Sequence, residues 1–424
     1  MLTHDRPVTR AWVLHPELKN DQDRRAPGPA LEEAVALAAA LPDLEVVGRT
    51  IVRLPKLHAG MLFGSGKIEE LKDQFHAAEV DLVLIDGPVT PVQQRNLERA
   101  WKVKILDRTG LILEIFSDRA RTREGVLQVE MAALSYQRTR LVRAWTHLER
   151  QRGGFGFVGG PGETQIEADR RAIDDQLVRL RRQLAKVVKT RELHRASRAK
   201  VPFPIVALVG YTNAGKSTLF NHLTGADVMA KDMLFATLDP TMRKIELEGG
   251  DALILSDTVG FISNLPTELV AAFRATLEEV LDADLIVHVR DISHAQTEEQ
   301  AEDVNTILRT LGVDEQAPLI EVWNKIDLLD EDARRAVETQ AERRDDLLAV
   351  SAVTGQGVAA LAEAMAQAVR DPRQSEELML GFGAGRARAW LFDAGVVDHE
   401  EQTEDGYRLK VTWTGVQKAR FEKL

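Results

Sequence analysis

Apolar and polar positions change their spacing three times along this chain, and each change marks a different architecture. Over the first 118 residues, short apolar runs alternate with helical patterns. Ala11–Leu14, Glu45–Val52, Asp81–Ile85 and Val103–Leu106 read as strands, and Leu31–Leu41, Ile68–Ala78, Val92–Ala100 and Leu111–Phe116 read as helices. Such alternation predicts a parallel sheet with helices packed on it. Beyond that the period becomes seven. Leu127, Leu134, Leu141 and Leu148 recur with Met131 and Trp145 in the alternate seam, and Ile166, Ile173, Leu177, Leu180, Leu184 and Val187 form a second stripe after a glycine-rich break. Two long amphipathic helices joined by a short loop predict an antiparallel hairpin.

From residue 201, buried-strand runs return at Ile205–Val209, Leu253–Ser256, Leu319–Trp323 and Leu347–Val350. A polar linker, Asp371-Pro372-Arg373-Gln374-Ser375-Glu376, separates them from the last segment. There Arg386–Ala394 reads as a helix closed by Gly395, and Val396–Gln402 and Tyr407–Trp413 as strands flanking the turn Glu404-Asp405-Gly406. Thr414 is placed to cap a final helix. The expected class is α/β in four parts: an α/β domain over 1–118, a helical hairpin over 119–200, a nucleotide domain over 201–371 and a small α+β module over 372–424.

Composition changes this picture at two points. The chain has no cysteine, which rules out disulfides, thiolate metal sites and cysteine nucleophiles and fits a reducing cytoplasm. The first residues lack a basic region followed by an apolar core, and no apolar run approaches the length of a membrane span, so neither a signal peptide nor a membrane segment is expected. Net charge is −11, but residues 119–200 hold 19 Lys and Arg against 9 Asp and Glu. That local excess points to a polyanionic partner, with nucleic acid foremost. Arg138, Arg140, Arg143, Arg150 and Arg152, then Arg179, Arg181, Arg182, Lys186 and Lys189, are expected on the outer faces of the hairpin. A charged helical pair is by default a solvated surface, but its tip argues otherwise. Residues 152–164 contain six glycines around Phe155 and Phe157, which present bare ring faces suited to stacking on unpaired RNA bases.

The chemistry is concentrated in the third part. Gly210-Tyr211-Thr212-Asn213-Ala214-Gly215-Lys216-Ser217, followed by Thr218, fits the phosphate-cradling loop between a strand and a helix. Its amides and helix terminus suit an anion, Lys216 reaches the outer phosphates, and the Ser217 hydroxyl ligates Mg²⁺. Asp257-Thr258-Val259-Gly260 follows a strand; the carboxylate can hold the same Mg²⁺, usually through water, and Gly260 lets the backbone approach the terminal phosphate. Thr237, within Phe235-Ala236-Thr237-Leu238-Asp239, can complete the metal shell when a γ-phosphate is bound, which makes a switch. Asp327 of Asn324-Lys325-Ile326-Asp327 can accept from guanine N1–H and its N2 amine, and a backbone N–H of Ser351-Ala352 can reach O6. In this order, each at a strand end, these motifs predict a P-loop guanine-nucleotide switch. Lys216, Thr237 and Gly260 would act at the reacting phosphate, and Ser217, Thr237 and Asp257 at the metal. Phe261 stands where many small GTPases carry a water-orienting glutamine, so slow hydrolysis without a partner is expected. Gly64-Ser65-Gly66-Lys67 is only a fragment of a second such loop, since Met61 and Ile68 break the pattern. It reads as a turn opening a helix or as an auxiliary anion site. His222 and His288 read as packing or surface residues.

Beyond these motifs, Arg119-Ala120-Arg121-Thr122-Arg123-Glu124-Gly125 and Gly159-Gly160-Pro161-Gly162-Glu163-Thr164-Gln165-Ile166-Glu167 give the chain a resemblance to the HflX family of ribosome-associated GTPases over nearly its entire length. The resemblance implies GTP and GDP as ligands with Mg²⁺, and docking of the N-terminal domain on the large ribosomal subunit and its rRNA. It further implies a finger directed at the peptidyl-transferase centre, and splitting or rescue of stalled ribosomes under heat or other stress. A large-subunit assembly GTPase or an RNA remodeller is the alternative. Asn213 resembles the asparagine of potassium-stimulated GTPases, which implies K⁺ as a further cofactor. A monomer in the cytoplasm, associated with ribosomes, is expected. One departure is Val158-Gly159, where the family more often carries a basic residue.

Overall fold

The computed structural model describes residues 8–19, 26–151, 161–198, 203–226, 233–238, 240–246, 252–263, 280–281, 283–314, 317–369, 374–403, 406–413, 418 and 421. The tip residues 152–160, Asp239, the turn residues Glu404 and Asp405, and Thr414 lie outside these. The chain divides into two compact units, Met1–Ala362 and Glu363–Leu424.

The first unit opens with β1 (Thr9–Leu18), α1 (Pro27–Ala39), β2 (Leu44–Leu54), α2 (Ser65–Ala77), β3 (Leu82–Ile85), α3 (Pro91–Trp101), β4 (Lys104–Asp107) and α4 (Arg108–Arg119). Four parallel strands in the order β2-β1-β3-β4 form the predicted sheet. Helix α4 is twice as long as the apolar run Leu111–Phe116 suggested. Its start is set by Asp107, whose side chain accepts the Gly110 N–H at 2.9 Å and so satisfies an orphan amide of the first turn. Helix α2 begins within the Gly64–Lys67 fragment, with Gly64 at the N-cap.

The hairpin comprises α5 (Arg123–Gln151) and α6 (Pro161–Arg198). Leu127, Val129, Leu177 and Leu180 are buried, and Arg138 pairs with Asp174 at 2.7 Å across the two helices. Arg179, Arg181, Arg182, Lys186 and Lys189 are exposed on α6. Arg138 and Arg140 correct the sequence reading. Arg140 turns inward, where it bonds Asp107 Oδ2 at 2.9 Å and also Tyr136 and Gln94. A carboxylate capping the neighbouring helix outcompetes solvent for that guanidinium, and Arg138, half-exposed, is neutralised by Asp174 of the facing helix, so neither arginine is a free outward charge.

The nucleotide domain follows as β5 (Ile205–Gly210), α7 (Lys216–Thr224), β6 (Thr241–Glu246), β7 (Ala252–Asp257), β8 (Leu285–Asp291), α8 (Thr297–Leu311), β9 (Leu319–Asn324), α9 (Glu331–Ala341), β10 (Leu347–Ala349) and α10 (Val358–Val369). Six strands run in the order β10-β9-β8-β5-β7-β6, parallel except for the antiparallel edge strand β6. Because β5 is central, its C-terminal end delivers the phosphate loop to the crevice where such sheets bind ligands.

The second unit holds β11 (Gln374–Leu380), α11 (Gly385–Asp393), β12 (Val397–Thr403) and β13 (Gly406–Trp413) in an antiparallel sheet ordered β11-β13-β12. Leu391, Val396, Leu409, Val411 and Trp413 form its core. Strand β11 overturns the linker reading of Gln374–Glu376: those residues pair with β13 from Trp413 to Val411. Polar side chains are tolerated there because β11 is an edge strand. Among the described residues, no helix is long and apolar enough to cross a membrane.

Candidate nucleotide site

The loop between β5 and α7 lines a cleft with Phe235, Ala236, Thr237, Thr258 and Gly260. Its curvature depends on backbone that only glycine tolerates. Gly215 has φ +93°, and a Cβ there would lie 2.2 Å from Asn324 Nδ2; a Cβ on Gly260 would lie 3.0 Å from Lys216 Nζ. The loop is zipped to the segment after β7, because Phe261 N–H donates to Gly210 O at 3.1 Å and Thr212 N–H to Phe261 O at 2.7 Å.

Lys216 is buried, and its ammonium donates to Gly210 O at 3.1 Å and Tyr211 O at 2.8 Å. Burial lowers its pKa from 10.5 to about 8, against the charge of Asp257. The sign of the consequence follows. Between pH 8 and 10.5 the unfolded lysine holds a proton that the folded one has lost, so stability rises with pH across that window. If a polyphosphate held in the loop restores the ammonium, nucleotide binding above pH 8 is expected to take up part of a proton, and less at pH 7. Calorimetry in buffers of different ionisation enthalpy measures this; zero uptake at pH 8.5 would contradict it.

The three proposed metal ligands come together. Ser217 Oγ donates to Asp257 Oδ2 at 2.7 Å, Thr237 Oγ1 donates to the same oxygen at 2.9 Å, and the two hydroxyls lie 2.8 Å apart. Asp257 is fully buried and its pKa is raised by that burial, with Ser217, Lys216 and Thr237 opposing the shift. Its other oxygen, Oδ1, has no hydrogen-bond partner among the described residues. A buried carboxylate with an unused oxygen, beside two hydroxyls, suits a hard divalent cation. Thr258 does something else: its hydroxyl donates to Leu208 O at 2.6 Å and ties β7 to β5.

At the base side, Asn324 Nδ2 donates to Ala214 O at 2.8 Å, and Asn324 Oδ1 accepts the Ala352 N–H at 2.9 Å. Lys325 has φ +69° and pairs with Asp291 at 2.7 Å. Asp327 is exposed within the single 3₁₀ turn Ile326–Leu328. The Ser351 N–H donates to Gln356 O at 2.9 Å, so both amides considered for guanine O6 already have acceptors in this structure. His288 is buried, and burial lowers its pKa to about 4, as a neutral packing residue requires.

A further set of contacts behind the cleft, which no sequence motif signals, runs through α4. At its N-terminal end, Arg108 bonds Asp86 at 2.7 Å, Glu33 at 2.5 Å and Ser263 O at 3.1 Å. Burial works against the Asp86 charge, but His15 at 2.7 Å and Arg108 hold its carboxyl below the usual range. The Tyr211 hydroxyl donates to Glu33 and accepts the Ser263 N–H at 2.9 Å, so the phosphate loop itself is fastened to the first sheet's layer. At the C-terminal end of α4, the Phe116 ring meets Phe235 edge-to-face at 4.6 Å, and Arg119 reaches Met233 Sδ at 3.2 Å. Phe235 holds φ +55°, unusual for a bulky side chain. One helix thus touches the segments on both sides of the cleft, while its cap Asp107 bonds Tyr136 at 2.5 Å and Arg140 of α5.

Four family models match the chain: "GTP-binding GTPase N-terminal" over residues 29–117, "GTP-binding GTPase Middle Region" over 119–198, "50S ribosome-binding GTPase" over 205–325 and "HflX C-terminal domain" over 336–423. Among curated proteins, a GTPase HflX of Magnetococcus marinus is 48% identical over 94% of this chain and 91% of its own length. One from Escherichia coli is 46% identical over 82% and 81%, and one from Caldanaerobacter subterraneus 40% identical over 98% and 97%. Similarity of that depth along both chains, joined to a P-loop site of this geometry, means that the chain belongs to the HflX family of GTPases.

Proposed function

We propose that this GTPase is a ribosome-dependent switch that binds the large ribosomal subunit through its N-terminal domain and hairpin, and splits or rescues stalled ribosomes. The observation that carries the reading is the position of α4. A γ-phosphate acts on the segments around Thr237 and Gly260. Those segments rest on the two ends of α4, through Phe235 on Phe116 and Ser263 on Arg108, and the cap of α4 is bonded to the hairpin. A change at the nucleotide therefore has a short, packed route to the basic arm. The exposed cations of α6 supply charge for rRNA phosphates, and a description of the matching family model as a 50S ribosome-binding GTPase supports that partner.

In this reading Ser217, Thr237 and Asp257 hold Mg²⁺, which supplies charge to the β- and γ-phosphates when bound. The amides from Asn213 to Thr218 cradle the phosphates, Lys216 neutralises them, and the Gly260 amide meets the terminal one. Asn324 braces the phosphate loop against the base loop, and Asp327 selects guanine. Asn213, exposed at φ +60°, is the residue that would face K⁺; rates in matched KCl and NaCl test that role, equal rates arguing against it. The protein acts as a cytoplasmic monomer that associates with ribosomes.

The site carries no glutamine after Gly260, and the Phe261 ring is buried, so no side chain at that position orders water. Hydrolysis is accordingly expected to be slow alone and at least tenfold faster with large subunits. A turnover assay with and without ribosomes measures this. Equal rates would contradict ribosome dependence.

A further inference from the structure

Ser263 stands just beyond Gly260, at the end of the segment assigned to the terminal phosphate. Three different elements hold it. Its N–H donates to the Tyr211 hydroxyl at 2.9 Å, its carbonyl accepts from Arg108 at 3.1 Å, and its hydroxyl donates to Asp303 of α8 at 2.6 Å. Ser263, Tyr211 and Arg108 are all buried.

The two backbone bonds share one origin. Glu33 of α1 accepts the Tyr211 O–H on Oε2 and an Arg108 N–H on Oε1, the latter at 2.5 Å. Ser263, Tyr211, Glu33 and Arg108 therefore close a ring, in which one carboxylate of the N-terminal domain governs both backbone groups of a residue in the nucleotide domain. Bonds to a carboxylate are stronger than bonds between neutral groups, and buried polar groups are costly to leave unpaired. A shift of α1 must therefore carry Ser263 with it or unpair buried groups. Tyr211 also belongs to the phosphate loop, beside Gly210, whose carbonyl accepts the Phe261 N–H. Movement at Glu33 thus reaches the loop and the segment after Gly260 together.

We infer that Glu33 is a positioning residue for GTP hydrolysis, through which the N-terminal domain sets the place of Gly260 against the phosphate loop. Docking of the large subunit on that domain shifts Glu33, and the ring passes the shift to the γ-phosphate end of the cleft, where hydrolysis accelerates. Glu33 does not line the cleft; it acts through Tyr211 and Arg108. The free chain holds the segment where Glu33 dictates, in keeping with slow hydrolysis until a partner of the N-terminal domain alters it. The inference rests on the ribosome-dependent reading above.

The test uses the full chain with Glu33→Ala and, separately, with Tyr211→Phe, which breaks the same ring without removing a charge. Replacing Glu33 strands neither neighbour: Arg108 keeps Asp86, and the Tyr211 hydroxyl lies 2.6 Å from Ser263 Oγ. Single-turnover GTP hydrolysis is followed with and without purified large subunits, and subunit binding by sedimentation. Stimulation by subunits is expected to fall about fivefold or more in both variants. In Glu33→Ala, unaided hydrolysis, GDP affinity and subunit affinity with GDP bound are expected to stay within about twofold of the unaltered chain. A merely structural glutamate would lower those quantities along with the stimulated rate, and that result overturns the inference. Full stimulation in either variant overturns it too, as does a loss of stimulation matched by a loss of subunit affinity. Failure of the ribosome reading looks different and takes the inference with it: subunits would then leave the rate of the unaltered chain unchanged.

Discussion

Replacing Asp327 by asparagine is expected to weaken GTP binding by at least 100-fold and to shift preference toward xanthosine triphosphate. In the proposed site the carboxylate would accept from guanine N1–H and from the exocyclic amine, two charge-assisted hydrogen bonds worth about 1.5–3 kcal/mol each. An asparagine can accept one and must turn an N–H toward the other, where guanine offers only a donor. Xanthine carries a carbonyl at that carbon and accepts it. Asp327 is exposed on a single 3₁₀ turn, so the substitution should change folding stability by no more than about 0.5 kcal/mol. Competition of GTP, XTP and ATP against a fluorescent nucleotide reads the result. Unchanged GTP affinity, or a gain for ATP, would remove Asp327 from the base site.

The second large effect lies outside the nucleotide cleft. Arg108 is buried between Asp86 and Glu33, and removing it leaves two largely buried carboxylates without their shared cation, although His15 still bonds Asp86 and Tyr211 still bonds Glu33. Arg108→Met is therefore expected to lower unfolding stability by about 3–5 kcal/mol. Adding Asp86→Asn and Glu33→Gln to it should recover a large part of the loss, because the carboxylates that have lost their shared cation are then neutral. Urea unfolding of the three chains checks this, and a cost below about 1 kcal/mol for Arg108→Met alone would contradict the pairing. The pH dependence has a definite sign. The Asp86 pKa is lowered in the folded chain, so its contribution is present above the ordinary carboxylate range and lost as pH falls through the folded value. The rescued triple variant also has a functional signature: it should bind GTP and GDP normally, but its affinity for ribosomes should no longer depend on which nucleotide is bound.

The nucleotide motifs were legible because each is local. A phosphate loop needs its glycines, lysine and serine in one short stretch, and the carboxylates assigned to metal and base sit at or just beyond the ends of recognisable apolar strands. The convergence of Ser217 and Asp257 follows from the pairing of β5 with β7, which the sequence motifs do not specify. Edge strands were less visible. No strand is predicted at β6, and Gln374–Glu376 reads as linker, because an edge strand needs few apolar residues and takes its pairing from a partner far along the chain. Strand β8, buried between β5 and β9, also goes unpredicted, since its apolar run leads into none of the nucleotide motifs. Least visible was the role of α4. Glu33 and Tyr211 are 178 positions apart, Arg108 and Ser263 155, and none of the four belongs to a pattern that names the others. Arg140 shows the same limit from the other side: its helical spacing predicted an outward charge, and a single carboxylate at Asp107 drew it in.

The most direct test of a nucleotide-driven ribosome switch is sedimentation. Purified intact ribosomes are incubated with the full chain and GTP, a non-hydrolysable GTP analogue or GDP, and resolved on a sucrose gradient. A second chain shortened across Gly153–Gly162 serves as the control. The account predicts conversion of intact ribosomes to free subunits with GTP and with the analogue, little with GDP, and none with the shortened chain in any state. Intact ribosomes in every lane, with the protein sedimenting only on immature large subunits, would contradict it. So would equal splitting by the shortened chain.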